Sequence, residues 1–129
     1  MVNLNESYKF GFEKLEVWQN SIQLSKLIYY LTLSFPKEET YGLTSQIRRA
    51  MISVSSNIAE GSSKNSLKDQ ARFSEIAFGS LLEVLNQIIL AFELSYISEE
   101  NYIDCRNKIE IISRQLNAPK KSQVERTNK

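Results

Sequence analysis

The chain has 129 residues, 42% of them apolar and 24% charged, which is the composition of one soluble globular domain and rules out a disordered or fibrous chain. With 16 Lys plus Arg against 15 Asp plus Glu the formal charge is +1, so bulk charge does not mark a polyanion binder and any basic site must be local. Histidine is absent, which excludes Ser/His/Asp and Cys/His nucleophile pairs, His-containing zinc sites and Glu-x-x-His di-iron bundles.

Four segments carry helical periodicity, punctuated by four glycines and two prolines, and strand signals are absent. The opening residues Met1 to Glu6 lack the basic flank and apolar run of a signal peptide. The first segment, 13–35, has one stripe of Val17, Leu24, Ile28, Leu31 and Phe35 and a second of Leu15, Trp18 and Ile22 beside it, and Pro36 ends it. The second starts at Leu43 or Thr44 and places Leu43, Ile47, Ala50, Met51, Val54 and Ile58 on one face. It ends at Gly61, the residue suited to a left-handed cap.

The third segment opens with Ser66 and Asp69 in a Ser-x-x-Asp capping arrangement, and its apolar residues surround most of the helix. Ile76, Val84 and Ile88, with Ala77, Ser80 and Ala91, are expected to face the bundle. Phe78, Leu81, Leu85, Ile89 and Phe92 form a second side that also needs covering. Glu83, Asn86, Gln87 and Glu93 interrupt the run 81–94, so it falls short of the ~20 nearly uncharged residues of a membrane span. The fourth segment is capped by Ser98, carries Glu99 and Glu100 in its first turn, and repeats Tyr102, Cys105, Ile109, Ile112 and Leu116, with its other faces polar. The lone Cys105 allows no intramolecular disulfide, which points to the reducing cytoplasm.

Short connections between four helices imply an all-α, antiparallel up-down-up-down four-helix bundle over 1–118, followed by a disordered basic tail, 119–129. The wide apolar girdle of the third helix further implies that bundles pack on one another as a homo-oligomer.

Several strings strengthen that expectation: Phe12-Glu13-Lys14-Leu15-Glu16-Val17-Trp18, the run from Phe35-Pro36-Lys37-Glu38-Glu39 through Gly42-Leu43 to Gln46-Ile47-Arg48-Arg49-Ala50, Ser56-Asn57-Ile58-Ala59-Glu60-Gly61, and Phe73-x-x-Ile76-Ala77-x-Gly79-Ser80-Leu81-x-Glu83. Together they resemble the 23S ribosomal RNA intervening-sequence proteins over residues 12–117. The resemblance implies a bacterial four-helix bundle, a ring-like homopentamer around a central channel as in the accessory protein of diversity-generating retroelements, and no enzymatic activity, cofactor or metal. It also brings RNA or DNA into view as a partner.

An up-down topology sorts charge by end. Lys64, Lys68 and Arg72, with Lys120 and Lys121 of the tail, are the candidate phosphate contacts, whereas Glu38, Glu39, Glu93, Glu99, Glu100 and Asp104 gather at the other end. A protein-protein adaptor working through the acidic end or the channel is the alternative. Trp18, Arg48, Arg49, Asn57, Phe78, Gly79, Leu81, Leu85 and Ile89 are read as an oligomer interface or a structural network, with only one of the adjacent arginines able to face inward toward Glu83 or Glu93 and Gly79 permitting a close helix approach. No membrane partner is expected.

Overall fold

In the computed structural model, which describes residues 8–127 with side chains to residue 118, the chain forms α1 (Glu16–Thr32), α2 (Leu43–Gly61), α3 (Leu67–Glu93) and α4 (Glu99–Thr127), with no strand among the described residues. The first helix is shorter than its periodicity suggests. Gly11–Lys14 is a separate 3₁₀ turn, held by the Phe10 N–H donating to Glu13 Oε2 at 2.8 Å, and Leu15 is extended before α1 begins. Phe35 still reaches the core, carried there by the turn after α1 rather than by the helix itself.

The second helix occupies the span expected, and all six residues of its stripe are buried. Its start is fixed from outside: Glu39 Oε1 accepts the Leu43 N–H at 3.1 Å, and a Cβ at Gly42 would lie 2.8 Å from that oxygen. Its end corrects an expectation, because no described glycine has positive φ and Gly61 is not a left-handed cap. Gly61 is required for packing instead, since a Cβ there would sit 2.7 Å from Phe73 Cβ on α3.

The third helix starts as expected, with Ser66 Oγ accepting the Asp69 N–H at 3.1 Å. Its inward face is Ala77, Leu81, Val84, Gln87, Ile88 and Ala91, so two assignments change. Leu81 is a core residue with no exposed surface, and Ile76, expected inside, is exposed. The helix ends at Ser95, which adopts φ 63°, the left-handed conformation in which the Tyr96 N–H donates back to Ala91 O at 2.8 Å.

Along α4, Cys105, Ile109, Ile112 and Leu116 are buried, while Tyr102 stacks on Phe92 with ring centroids 4.3 Å apart. The outer faces of α4 are not wholly polar, because Ile103 and Ile111 are exposed. The backbone of α4 stays helical to Thr127, past Pro119, where the sequence suggests an irregular tail; Lys and Glu neighbours there are good helix formers. The side chains from 119 onward, Lys120 and Lys121 among them, lie outside the described residues.

α1 packs on α2 and α4, and α3 packs on the same two, with neither diagonal pair touching among the described residues. The α1–α2 side and the α3–α4 side are therefore opposite faces. Between them lies one core, in which Leu24, Ile28, Ile47, Met51, Leu81, Ile88 and Ile112 are fully buried. Each such side chain contributes about 1.5–3 kcal/mol by leaving water. Burial, helped by Asp104, pushes the Cys105 thiol up to about 12, which leaves it a small hydrophobe rather than a nucleophile.

Candidate nucleic-acid and self-association surfaces

Three of the five expected phosphate contacts come together where α2 turns into α3. Gln70 Nε2 donates to Lys64 O at 2.9 Å, which ties the turn to the first helical turn of α3. The Lys64 ammonium lies 5.0 Å from the Phe73 ring centroid, half-buried. Lys68 and Arg72 stand one turn apart on α3, exposed and without an ion pair among the described residues. Arg114 is paired to Glu110 and adds little free charge. Such a cluster presents cations of the kind that contact phosphate oxygens.

The opposite end is acidic and more tightly tied. The Tyr96 hydroxyl donates to Glu39 Oε2 at 2.9 Å, so one carboxylate links the α3–α4 connection to the start of α2. That hydrogen bond, with partial burial and the nearby Glu39 and Glu38 charges, raises the Tyr96 phenol above its ordinary range. The sequence places Glu39 at the acidic end but carries no signal for Tyr96, because the contact spans 57 residues. Asp104 pairs with Lys108 at 2.6 Å.

The arginine pair divides, as adjacent helical positions must, with only Arg49 beside a glutamate. Arg48 meets no glutamate among the described residues: its Nε donates to Thr32 Oγ1 at 2.9 Å and its Nη2 to Tyr29 O at 3.3 Å, with the guanidinium 4.5 Å from the Tyr29 ring centroid. Arg49 lines an open cleft with Glu83 on the other side of α2 and makes no ion pair among the described residues. Asn57 does join a network, donating to Ser53 O at 2.8 Å and Ser53 Oγ at 3.1 Å, and Ser53 Oγ shares a hydrogen bond with Ser80 Oγ at 2.8 Å. Trp18 is half-buried against Phe12, with ring centroids 5.1 Å apart, which makes it a packing residue within the subunit.

Of the residues read as an interface, Phe78, Leu85 and Ile89 fall on the α3–α4 side, whereas Leu81 lies in the core. Phe78 and Leu85 pack half-buried against the core, Ile89 is half-buried, and Leu82 (47% exposed) and Ile103 (49%) flank a groove of ≈460 Å³ that also includes Leu85 and Arg106. Gly79 has open space where a Cβ would stand, so no helix of the same subunit approaches it. The α1–α2 side carries its own exposed apolar residues, Tyr29, Leu33 and Ile52 (51%). Contrary to the sequence expectation, α3 is long and apolar enough to cross a membrane, and only 28% of its most apolar window is buried within the subunit. Arg72, Glu75, Glu83 and Glu93 along it make a lipid neighbour costly.

A family model described as 23S rRNA-intervening sequence protein matches residues 13–118. A crystal structure of a protein of unknown function from the S23 ribosomal protein family of Bacteroides thetaiotaomicron matches with 22% identity and a TM-score of 0.73, covering 81% of this chain and 95% of that one. At that identity the likeness concerns the fold. No curated protein matches.

Proposed function

This chain belongs to the 23S rRNA-intervening sequence protein family, and from that premise we propose that it is a non-enzymatic, cytoplasmic scaffold. It is an antiparallel up-down-up-down bundle that assembles as a ring-like homopentamer and holds RNA or DNA by phosphate contacts at its basic end. The observation that carries the assembly is that apolar side chains stand open on two opposite sides, Leu82 and Ile103 on one, Ile52, Tyr29 and Leu33 on the other. Two different patches on opposite faces suit a head-to-tail contact, which closes into a ring when the rotation allows. The antiparallel order is supported by contacts such as Asn20 with Gln115 at 3.0 Å and Arg48 with Thr32, which join the start of one helix to the end of another.

A ring places every copy of Lys64, Lys68 and Arg72 on one face, multiplying a local charge that the +1 chain does not have in bulk. The test is a titration of the full chain against structured RNA and duplex DNA at low and near-physiological salt, with the native mass recorded for free protein and complex. Binding should weaken steeply with salt. Lys64→Ala, Lys68→Ala and Arg72→Ala each delete one cation facing phosphate, and each should lower the salt slope by about 1. An intact oligomer that binds neither nucleic acid overturns the phosphate reading and leaves a protein adaptor working through the acidic end. A native mass of 14.9 kDa overturns the ring.

A further inference from the structure

The chain that leads into α1 carries aromatic rings outside the core. Tyr8 and Phe10 are 81% and 62% exposed, and their rings meet edge to face with centroids 5.2 Å apart at 88°. In that geometry the edge of one ring covers one face of the other, so both rings keep at least one full face in water. The Phe10 backbone is fixed: its N–H donates to Glu13 Oε2 at 2.8 Å, its carbonyl accepts the Glu13 N–H at 3.1 Å, and Gln19 Nε2 donates to Glu13 O at 2.9 Å, which ties the turn to α1. Phe12, the next aromatic, is turned onto Trp18, so the segment does bury a ring where the subunit supplies a partner. Lys9 stands between the two open rings and Lys14 closes the turn, both exposed and without an ion pair among the described residues. Leu15, next to Lys14, lines a cavity of ≈310 Å³ together with Gly61 and Ser62, which places the segment at the same end of the bundle as Lys64, Lys68 and Arg72. Glu16, Glu60 and Asp69 are also exposed at this end, so its cations alone hold a phosphate chain weakly.

We propose that Tyr8 and Phe10 form a stacking platform for unpaired bases, so that the nucleic acid held at this end is a single strand and not a continuous duplex. The proposal rests on the phosphate reading above and adds to it a reason to prefer one class of strand. A base offers a flat π face that matches an open aromatic ring whatever the sequence, while the phosphates that link successive bases meet cations such as Lys9 and Lys14. In a duplex the bases stack on one another and present only their edges in the grooves, which leaves the rings unused. The lysines beside the rings favour an anionic strand over an uncharged apolar partner. Stacking releases no counterions, so it supplies affinity that survives salt, whereas the lysine contacts lose theirs.

The experiment is an anisotropy titration of the full chain with a labelled single strand of about 12 nucleotides, within the ~4–16 that such sites span, and with the duplex of the same sequence, at low and near-physiological salt. At the higher salt the single strand should bind at least about tenfold more tightly than the duplex. Tyr8→Ala and Phe10→Ala should each weaken single-strand binding by about five- to tenfold, with the salt slope and the duplex affinity unchanged, and Phe10→Tyr should keep the native affinity. Lys9→Ala should instead lower the single-strand salt slope by about 0.7. Both rings are exposed, so the alanine variants keep the native fold. A duplex bound as tightly as the single strand, or alanine variants that bind the single strand unchanged, overturns the platform and leaves the phosphate reading standing. A smaller native mass in Tyr8→Ala or Phe10→Ala makes the rings a subunit contact and also overturns it. A chain that binds neither form overturns both readings.

Discussion

α2 and α3 lie against each other and are built on opposite plans. α2 keeps its large apolar residues on one stripe and buries nearly all of them, with Ile52 the exception. α3 buries Leu81, Val84 and Ile88 but also carries Ile76, Leu82 and Leu90 in the open. The stripe of α2 is complete within one subunit, whereas the girdle of α3 is half-used. Substitutions on the two helices should therefore report on different things, one on folding and the other on association.

The largest expected effect is on the completed side. Ile47→Ala removes a side chain with no exposed surface and should lower the unfolding free energy by about 2–5 kcal/mol in urea titration. Leu82→Ser should move the stability of the dissociated subunit by no more than about 0.5 kcal/mol and act instead on native mass. If Leu82→Ser unfolds the subunit while Ile47→Ala does not, the division between the helices fails.

The two helical glycines sharpen the same contrast with a single added methyl. At Gly61 a Cβ collides with Phe73 Cβ, so Gly61→Ala should destabilise by about 1–3 kcal/mol. At Gly79 the space is open, and Gly79→Ala should stabilise the subunit by up to about 1 kcal/mol through helix propensity alone. Chemical denaturation of both variants gives the sign of each. If Gly79→Leu reduces the native mass although nothing in the subunit stands near it, a second copy occupies that space.

How much of this is legible in the sequence follows from the range of the interactions. The α2 stripe, the Ser66 and Ser98 caps and the α4 repeat are local, and periodicity places them correctly. Leu81 and Ile76 exchange places because a helix apolar on nearly all sides does not announce which side is inward. Gln87 reads as a polar interruption, although it sits three residues after Val84 and four before Ala91 and so shares their face. The partners of Arg48 and Tyr96 lie in other elements, 16 and 57 residues away, and no local pattern encodes them.

The two ends of the bundle make the second comparison, one tied by Glu39 and the other left with exposed Lys68 and Arg72. Glu39→Ala removes the acceptor for the Leu43 N–H and should cost about 1 kcal/mol, read as a lower urea midpoint. Lys68→Ala at the opposite end should stay within about 0.5 kcal/mol.

The smallest effect is in pH dependence. The Tyr96 phenol is raised in the folded chain, first by its hydrogen bond to Glu39, so folding favours the protonated hydroxyl. That stabilisation is fully present below the ordinary tyrosine value of 10.0 and is lost as pH rises through the higher folded value. Cys105 is also raised, to about 12, and removes stability over an overlapping alkaline range, so a pH titration of the native chain alone mixes the two. Tyr96→Phe separates them, because it keeps Cys105 and the ring packing against Phe35 while deleting the hydroxyl. Native chain and variant should differ at neutral pH and converge above pH 10 in thermal melts. A difference that persists unchanged into strong alkali would mean that the ring, and not the hydrogen bond to Glu39, holds the α3–α4 connection to the acidic end.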